Sequence, residues 1–247
     1  MVVLTQSIKV VLVAGFILGG SAAQAAVTGN VGVVSDYLAR GLDQTGGVTA
    51  FGGIDYAHSS GAYVGSLFSN VKWFDKTGDG NNDASYEWDF YAGYAGKLGA
   101  LGYDVGVLNI GYPDASKYNT TELYAGLNSS FAELTYPTTL SAKVYYSPDR
   151  NAYLPDPKNQ DEAGWYSTAQ ADIQLKQGLT LTPQVGYAFG PALEKQKIGG
   201  LDDFINYSLT LNKALEQGFS ASFSFVDTDI EGDSGKVIVG LKKAFDF

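Results

Sequence analysis

The feature that most constrains the fold is an alternation of apolar and polar residues, which recurs in twelve stretches between Val27 and Phe247. In the clearest stretch, Tyr86–Tyr94, the even-numbered residues are aromatic or alanine, and the odd-numbered ones include Glu87 and Asp89. Successive side chains of a strand point to opposite faces, so this stretch has one apolar and one polar face. The pattern is typical of a sheet with lipid on one side and a lumen on the other.

The twelve predicted strands are long. They cover residues 28–38, 50–58, 62–73, 86–96, 101–112, 120–128, 138–147, 164–175, 179–189, 203–213, 218–227 and 236–247. Strands of soluble proteins usually have about 5–6 residues, whereas a tilted strand that crosses a membrane needs about 9–11. Most of the predicted strands match the second length.

The connections between the strands alternate between short turns and long polar loops. The long loops cover residues 39–49, 74–85, 113–119, 148–163, 190–202 and 228–235. Outer-membrane barrels have short periplasmic turns and longer extracellular loops. The connection 129–137 is long where a turn is expected, which indicates a bulge or a displaced strand boundary. Together these features predict an all-β fold, a closed antiparallel transmembrane barrel of about twelve strands. A soluble β-sandwich is the alternative, but its outward face would carry charge.

The first 25 residues have the organisation of a cleaved signal peptide. Lys9 precedes the short apolar run Val10–Leu18, and Ala23–Ala25 forms a small-residue cleavage site. We therefore divide the chain into a signal peptide, 1–25, and a barrel, 26–247, and expect export to the outer membrane of a Gram-negative bacterium. The net charge of −10 argues against a nucleic-acid partner. The absence of cysteine excludes disulfides and cysteine-based metal sites.

Aromatic residues mark both ends of the predicted strands on the apolar face. The tryptophans at the long-loop ends are Trp73, Trp88 and Trp165. The aromatic residues at the short-turn ends are Tyr63, Tyr94, Tyr103, Phe219 and Phe247. Two such girdles are expected where a barrel meets the two membrane interfaces. The same assignment places Phe90 on lipid and Gly93 in the lumen, so arginine should be tolerated better at Gly93 than at Phe90, subject to packing around Gly93.

The opposite faces of the strands carry charges of both signs. The candidate lumen-lining residues are Asp36, Arg40, Asp55, Lys72, Glu87, Asp89, Asp104, Glu122, Lys143 and Asp172. The acidic bias predicts a weak cation preference in an open pore, with Lys143, Lys236 and Lys242 on the wall opposite the carboxylates. The alternative is a set of ion pairs that closes a narrow barrel without conduction. Side chains fill the interior of an eight-stranded barrel, whereas a sixteen-stranded barrel encloses a channel. A twelve-stranded barrel lies between them, so its strand number does not decide between an open and a closed lumen.

One loop partly matches a calcium-binding pattern. The residues at its positions 1, 3, 5 and 9 are Asp75, Thr77, Asp79 and Asp83. The twelfth position is Tyr86 rather than the bidentate glutamate, so a solvated loop is favoured over a Ca²⁺ site. No other cofactor is predicted.

The single histidine gives little support for an enzyme. His58 is followed by Ser59 and Ser60 in a predicted turn. A catalytic triad needs a nucleophile and an orienting group that converge on the histidine, and consecutive strand residues point to opposite faces. We therefore predict that the protein is not an enzyme.

Six blocks resemble the TorF-type porin family of proteobacteria. They are Ser35–Gly47, Gly52–Val71, Glu87–Gly96, Gly102–Pro113, Glu122–Leu127 and Lys143–Asp149, in the same order. The resemblance implies an outer-membrane channel in contact with lipid and with small solutes or ions, and it supplies no substrate. The sequence thus favours a passive porin. A non-conducting barrel whose loops bind a partner is the alternative, and a barrel enzyme acting on lipid or protein ranks third.

Overall fold

The computed structural model describes residues 25–73, 84–148, 162–196, 198 and 200–247. The strands are β1 (Ala26–Val34), β2 (Leu38–Ala39), β3 (Leu42–Asp43), β4 (Thr49–Ala57), β5 (Ala62–Trp73), β6 (Ala84–Leu98), β7 (Leu101–Ile110), β8 (Thr120–Phe131), β9 (Thr138–Ser147), β10 (Gly164–Gln174), β11 (Leu179–Phe189), β12 (Phe204–Ala214), β13 (Phe219–Thr228) and β14 (Lys236–Asp246). The helical segments are α1 (Pro191–Gln196) and 3₁₀ turns at Ser116–Tyr118, Lys176–Gly178 and Glu216–Gly218. No helix in these residues is long and apolar enough to cross a bilayer.

Twelve of the strands form one closed antiparallel barrel, and β2 and β3 form a separate two-stranded sheet. The barrel closes through β1, where Val33 pairs with Ala50 of β4 on one side and with Leu241 of β14 on the other. Closure leaves no sheet edge, so every barrel strand finds a partner on both sides. The predicted fold class is confirmed, and each predicted strand has a counterpart in the barrel.

The connections alternate between short and long as predicted, and the structure explains the exception at residues 129–137. Strand β8 continues to Phe131, so only residues 132–137 remain between it and β9. The expectation of a displaced boundary is therefore confirmed. Strand β1, in contrast, ends at Val34 rather than at residue 38, and the chain beyond it does not stay in the wall.

The two faces of the barrel differ in polarity. In β12 the side chains alternate strictly between buried and exposed along Phe204–Asn212. The large exposed side chains of the wall are apolar and include Trp88, Phe90, Val105, Leu123, Trp165, Val185, Leu209, Phe223 and Val239. The outward face is therefore an apolar band, and the polar residues of the wall lie inside.

Strand β5 faces the opposite way from the prediction. Tyr63 is 6% exposed and donates a hydrogen bond to Asp104 inside the barrel, so its placement in an outward aromatic girdle is wrong. Strand β5 carries apolar residues on both faces, Val64 and Phe68 on one and Leu67 on the other. Alternation in the sequence alone therefore cannot orient this strand.

The same strand corrects the placement of Lys72. The pairing of β5 with β6 shifts register between Asn70 and Trp73, which marks a bulge or irregularity. There Val71 is 3% exposed, whereas Lys72 is exposed. The predicted inward position belongs to Val71, because β5 is oriented by Tyr63 and the odd-numbered residues that share its face.

Candidate functional site

The chain after β1 turns into the barrel instead of forming an outer loop. Strands β2 and β3 pair through Leu38 with Asp43 and Ala39 with Leu42, so Arg40 and Gly41 form a two-residue turn. Both turn residues have positive φ, 55° for Arg40 and 90° for Gly41, as tight hairpin turns of this class require. A side chain in this region costs about 1–2 kcal/mol, so neighbouring contacts must stabilise Arg40 there. We call residues 35–47 the inner segment.

Arg40 supplies those contacts at the tip of the inner segment. Its Nη1 and Nη2 donate to the two carboxylate oxygens of Glu122, at 2.9 and 2.5 Å. Its guanidinium carbon lies 5.0 Å from the ring centre of Tyr145 and 4.5 Å from that of Tyr166. Arg40 is 7% exposed and Glu122 1%. The pair is therefore a buried bidentate ion pair, in which the planar guanidinium matches both the carboxylate and the aromatic faces.

Further hydrogen bonds hold the inner segment to the wall. Tyr37 donates to Glu87 Oε1 at 2.7 Å, and Tyr112 donates to Glu87 Oε2 at 2.6 Å. On another wall, Lys236 Nζ donates to Asp36 Oδ2 at 3.1 Å and also to Asp43. Burial opposes ionisation of Asp43, but Lys236 and the backbone amides of Gly46 and Thr45 keep its pKa below the ordinary value.

The inner segment spans the barrel from wall to wall. Its tip reaches β8, β9 and β10 through Arg40. On the other side a Cβ built on Gly41 would lie 2.7 Å from Thr228 Cγ2 and 2.8 Å from Asn206 Cβ. Only a residue without a side chain fits this approach to β12 and β13. The lumen is therefore crossed at this level, and the predicted outer loop 39–49 is corrected to an inward-folded constriction.

A second buried ion pair lies on the wall itself. Lys143 Nζ donates to Asp104 Oδ2 at 2.6 Å, and Tyr63 Oη donates to Asp104 Oδ1 at 2.5 Å. Lys143 also lies 4.4 Å from the ring centre of Tyr124. Lys143 thus stands beside the carboxylates, not on the opposite wall as the sequence predicted, because barrel order places β9 two strands from β7.

The remaining predicted carboxylates also lie inside the barrel. Asp55 accepts a hydrogen bond from Tyr91. Asp172 accepts hydrogen bonds from Thr182 Oγ1 at 2.9 Å and from Gln170 Nε2 at 3.2 Å. Asp89 is 4% exposed, and its Oδ1 has no hydrogen-bond partner among the described residues.

The inner wall from β11 to β13 is neutral. Its buried polar residues are Thr182, Asn206, Ser208, Thr210, Asn212, Ser220, Ser222, Ser224 and Thr228. Charged residues cluster instead on β4 to β10, on the inner segment and on β14. The described interior is therefore asymmetric, with hydroxyl and amide groups facing the charged and aromatic side.

Inward tyrosines are residues of the candidate site that sequence analysis missed. Tyr63 pairs across the strands with Gly93, and Tyr124 pairs with Gly106. A Cβ on either glycine would overlap the tyrosine ring it faces, well inside the 3.0 Å limit of real Cβ contacts. The glycines thus let the rings lie flat on the neighbouring strand. A tyrosine opposite a glycine on the neighbouring strand indicates such an inward ring, but this pairing can be recognised only when the strand register is known.

The predictions for the calcium-like loop and for the turn at His58 have different outcomes. The calcium-like positions Asp75, Thr77, Asp79 and Asp83 lie outside the described residues. His58 Nδ1 lies 2.9 Å from Ser60 Oγ in an exposed turn, where the backbone N–H of Ser60 also donates to Nδ1. This geometry is a local turn contact.

A family of sequences matches almost the whole barrel. The model of a bacterial protein family of unknown function, Gcw_chp, matches residues 19–243. The chain belongs to this family. No curated protein matches the chain in sequence. Membership supplies no activity, because the family itself has none assigned.

Solved structures of porins and channels are similar to the barrel. The KdgM porin has a TM-score of 0.56 at 11% identity, with 89% of this chain and 99% of that chain covered. The NanC porin has a TM-score of 0.59 at 8% identity, with 89% and 98% covered. The COG4313 outer membrane channel from Pseudomonas putida F1 has a TM-score of 0.51 at 10% identity, with 93% and 98% covered. These neighbours are porins and channels, and at such identities they show a porin-like fold alone.

Proposed function

We propose that the protein is an outer-membrane barrel that passes small solutes or ions passively, through a lumen narrowed by the inner segment. The observation that carries the proposal is the closed barrel with an apolar outward band and a polar interior, the arrangement of a barrel in lipid. Its porin-like neighbours support it. Residues 1–25 act in this proposal as a cleaved signal peptide, and the six sequence blocks favour a relation to the TorF-type porin family.

The inner segment limits the size of the solute. It contacts β8 to β10 through Arg40 and closely approaches β12 and β13 through Gly41. A path through the barrel therefore runs beside this segment rather than through the full width enclosed by the wall. Small ions and small neutral molecules are the solutes that this geometry favours.

The charges inside the barrel disfavour polyanions. The KdgM porin has been solved in complex with disordered oligogalacturonate, which is a polyanion. In the present chain Arg40 and Lys143 each hold a carboxylate, Glu122 and Asp104. Their charges are therefore already compensated, whereas Glu87 and Asp89 have no ion-pair partner among the described residues. We propose neutral solutes and cations as the cargo.

A barrel that does not conduct is the second candidate. It is favoured by the low exposure of the interior, where Glu122, Tyr145 and Tyr166 are each at most 2% exposed. Planar-bilayer recording from refolded protein separates the two candidates. Conductance steps in the native protein support the channel. Silence in both the native protein and an Arg40→Ala variant supports the structural barrel.

Cation preference should depend on Glu87 and Asp89. Replacing them together by Gln and Asn removes two negative charges from the interior, so the ratio of cation to anion permeability should fall towards one. Fixed charges in a narrow low-dielectric lumen enrich counter-ions. The native preference should shrink as the Debye length falls from about 10 Å at 0.1 M to about 3 Å at 1 M salt. Reversal potentials across a salt gradient measure both effects.

Glu133→Gln is the matched control, since Glu133 is exposed in the turn 132–137. It should leave the permeability ratio unchanged. Anion preference in the native protein would contradict the assignment, as would an unchanged ratio in the double variant.

A further inference from the structure

Two buried oxygens on adjacent strands lack hydrogen-bond partners among the described residues. They are Asp89 Oδ1 on β6 and Ser69 Oγ on β5. Asp89 is 4% exposed and Ser69 1%. Buried polar atoms are almost always paired in native structures, so each exception calls for an explanation. Ser69 Oγ and Asp89 Oδ1 are two of six such atoms among the described residues, and these two lie on adjacent strands.

The strand register places these oxygens next to a second carboxylate. Ser69 pairs directly with Glu87, and Asp89 lies two residues along β6, on the same face as Glu87. Asp89 and Ser69 are therefore diagonal neighbours, whose Cα atoms are about 7–8 Å apart in antiparallel sheets. Inward-pointing side chains at that separation bring their oxygens within reach of a single bound ion.

Neither carboxylate of this patch has an ion-pair partner among the described residues. Both oxygens of Glu87 accept hydrogen bonds from neutral hydroxyls, those of Tyr37 and Tyr112. Hydroxyls satisfy the lone pairs they contact without cancelling the charge, and each carboxylate oxygen keeps a second lone pair. The nearby guanidinium of Arg40 is held bidentately by Glu122. Two adjacent carboxylates are costly to bury without a counter-charge.

We propose that Asp89, Ser69 and Glu87 bind one hard divalent cation, Ca²⁺ or Mg²⁺, on the inner face of β5 and β6. The donor atoms are all oxygen, which these cations prefer. Two carboxylates match the charge of a divalent ion. The described residues contain no cluster of three or more His, Cys, Asp or Glu side chains in a metal-binding arrangement, so water completes the shell, as it commonly does for Mg²⁺.

The site is independent of conduction. A barrel that binds the cation and never conducts overturns the proposed channel and leaves the site in place. A barrel that conducts but does not bind the cation overturns the site and leaves the proposed channel in place. Binding is therefore measured directly, on the refolded full barrel in detergent micelles, without any electrical readout.

The probe is Tb³⁺, a hard oxygen-seeking ion whose luminescence is sensitised by nearby tyrosines such as Tyr37 and Tyr112. We expect saturable luminescence that Ca²⁺ or Mg²⁺ displaces. Asp89→Asn should weaken Tb³⁺ binding at least tenfold, and Ser69→Ala should weaken it several-fold. The matched control is Asp172→Asn, which removes a buried inward carboxylate whose oxygens accept hydrogen bonds from Thr182 and Gln170. It should bind Tb³⁺ like the native protein.

Several results overturn the site. One is the absence of displaceable luminescence in the native protein. Another is equal loss in the Asp89→Asn and Asp172→Asn variants, which would indicate a diffuse acidic interior. If Asp89→Asn does not fold, Ser69→Ala decides, and native affinity in that variant refutes the ligand set. A more stable Asp89→Asn variant, together with no Tb³⁺ binding by the native protein, identifies a proton as the occupant instead.

Discussion

Replacing Arg40 with alanine is expected to destabilise the folded barrel by about 3–5 kcal/mol, because it leaves Glu122 buried without a counter-charge. Glu122 is 1% exposed and accepts hydrogen bonds from Nη1 and Nη2 of the guanidinium. The loss also frees the tip of the inner segment, so the conductance of any open barrel should rise. Equilibrium unfolding in urea, followed by tryptophan fluorescence in detergent or lipid, measures the free energy.

Two further variants test the physical reason. Lys97→Ala removes a cation from an exposed position near the end of β6 and should change the free energy of unfolding by less than about 0.5 kcal/mol. Replacing Arg40 and Glu122 together by Met and Leu should recover much of the loss, since buried ion pairs are often replaceable by packed apolar residues. A loss below about 1 kcal/mol in Arg40→Ala, the range of exposed pairs, would mean that the pair is not buried in solution.

Placing arginine at Phe90 is expected to cost about 2–4 kcal/mol, the cost of a lipid-facing cation near the bilayer midplane. Phe90 is 50% exposed and lies close to the middle of β6, Ala84–Leu98. Folding into lipid vesicles, with the free energy taken from urea titrations, gives the measurement. The cost should fall at interface positions, where the charge reaches water.

For arginine at Gly93, the structure predicts a higher cost than the inward position of this residue suggested. A Cβ on Gly93 would lie 2.6 Å from Val105 O and would overlap the ring of Tyr63. We therefore expect arginine at Gly93 to be tolerated no better than at Phe90, because the packing on which the sequence prediction depended leaves no room for a side chain. Even alanine should cost about 1–3 kcal/mol through overpacking.

Alanine variants separate the effect of lipid exposure at Phe90 from the effect of tight packing at Gly93. Phe90→Ala should lose about 0.5–1.5 kcal/mol, because the ring packs on Trp88 at 5.1 Å and leaves no cavity in the protein. Gly47→Ala is the control for Gly93→Ala, since a Cβ on Gly47 meets nothing within 4 Å. If Gly93→Ala and Gly47→Ala were equally stable, the flat packing of Tyr63 on Gly93 would be refuted.

The sequence by itself determined the strands, their number and, for most of them, which face is apolar. These properties are local, because the side-chain period of two is a feature of each strand alone. The inward carboxylates Glu87, Asp89, Asp104 and Glu122 follow from it directly. Strand β5 shows the limit, since its apolar residues lie on both faces and the packing of Tyr63 against Gly93 and Asp104 orients it.

Only the tertiary structure decided what crosses the lumen. Arg40 and Glu122 are 82 residues apart, and nothing local to either of them predicts that they meet. The pair forms because barrel closure brings β1 and β8 around one interior, into which the chain after Val34 turns as a hairpin. The same closure brings Lys143 to Asp104 and leaves Asp89 without a cationic partner among the residues that the structure describes. Long-range pairing of charges depends on strand order and register, which the alternating pattern does not contain.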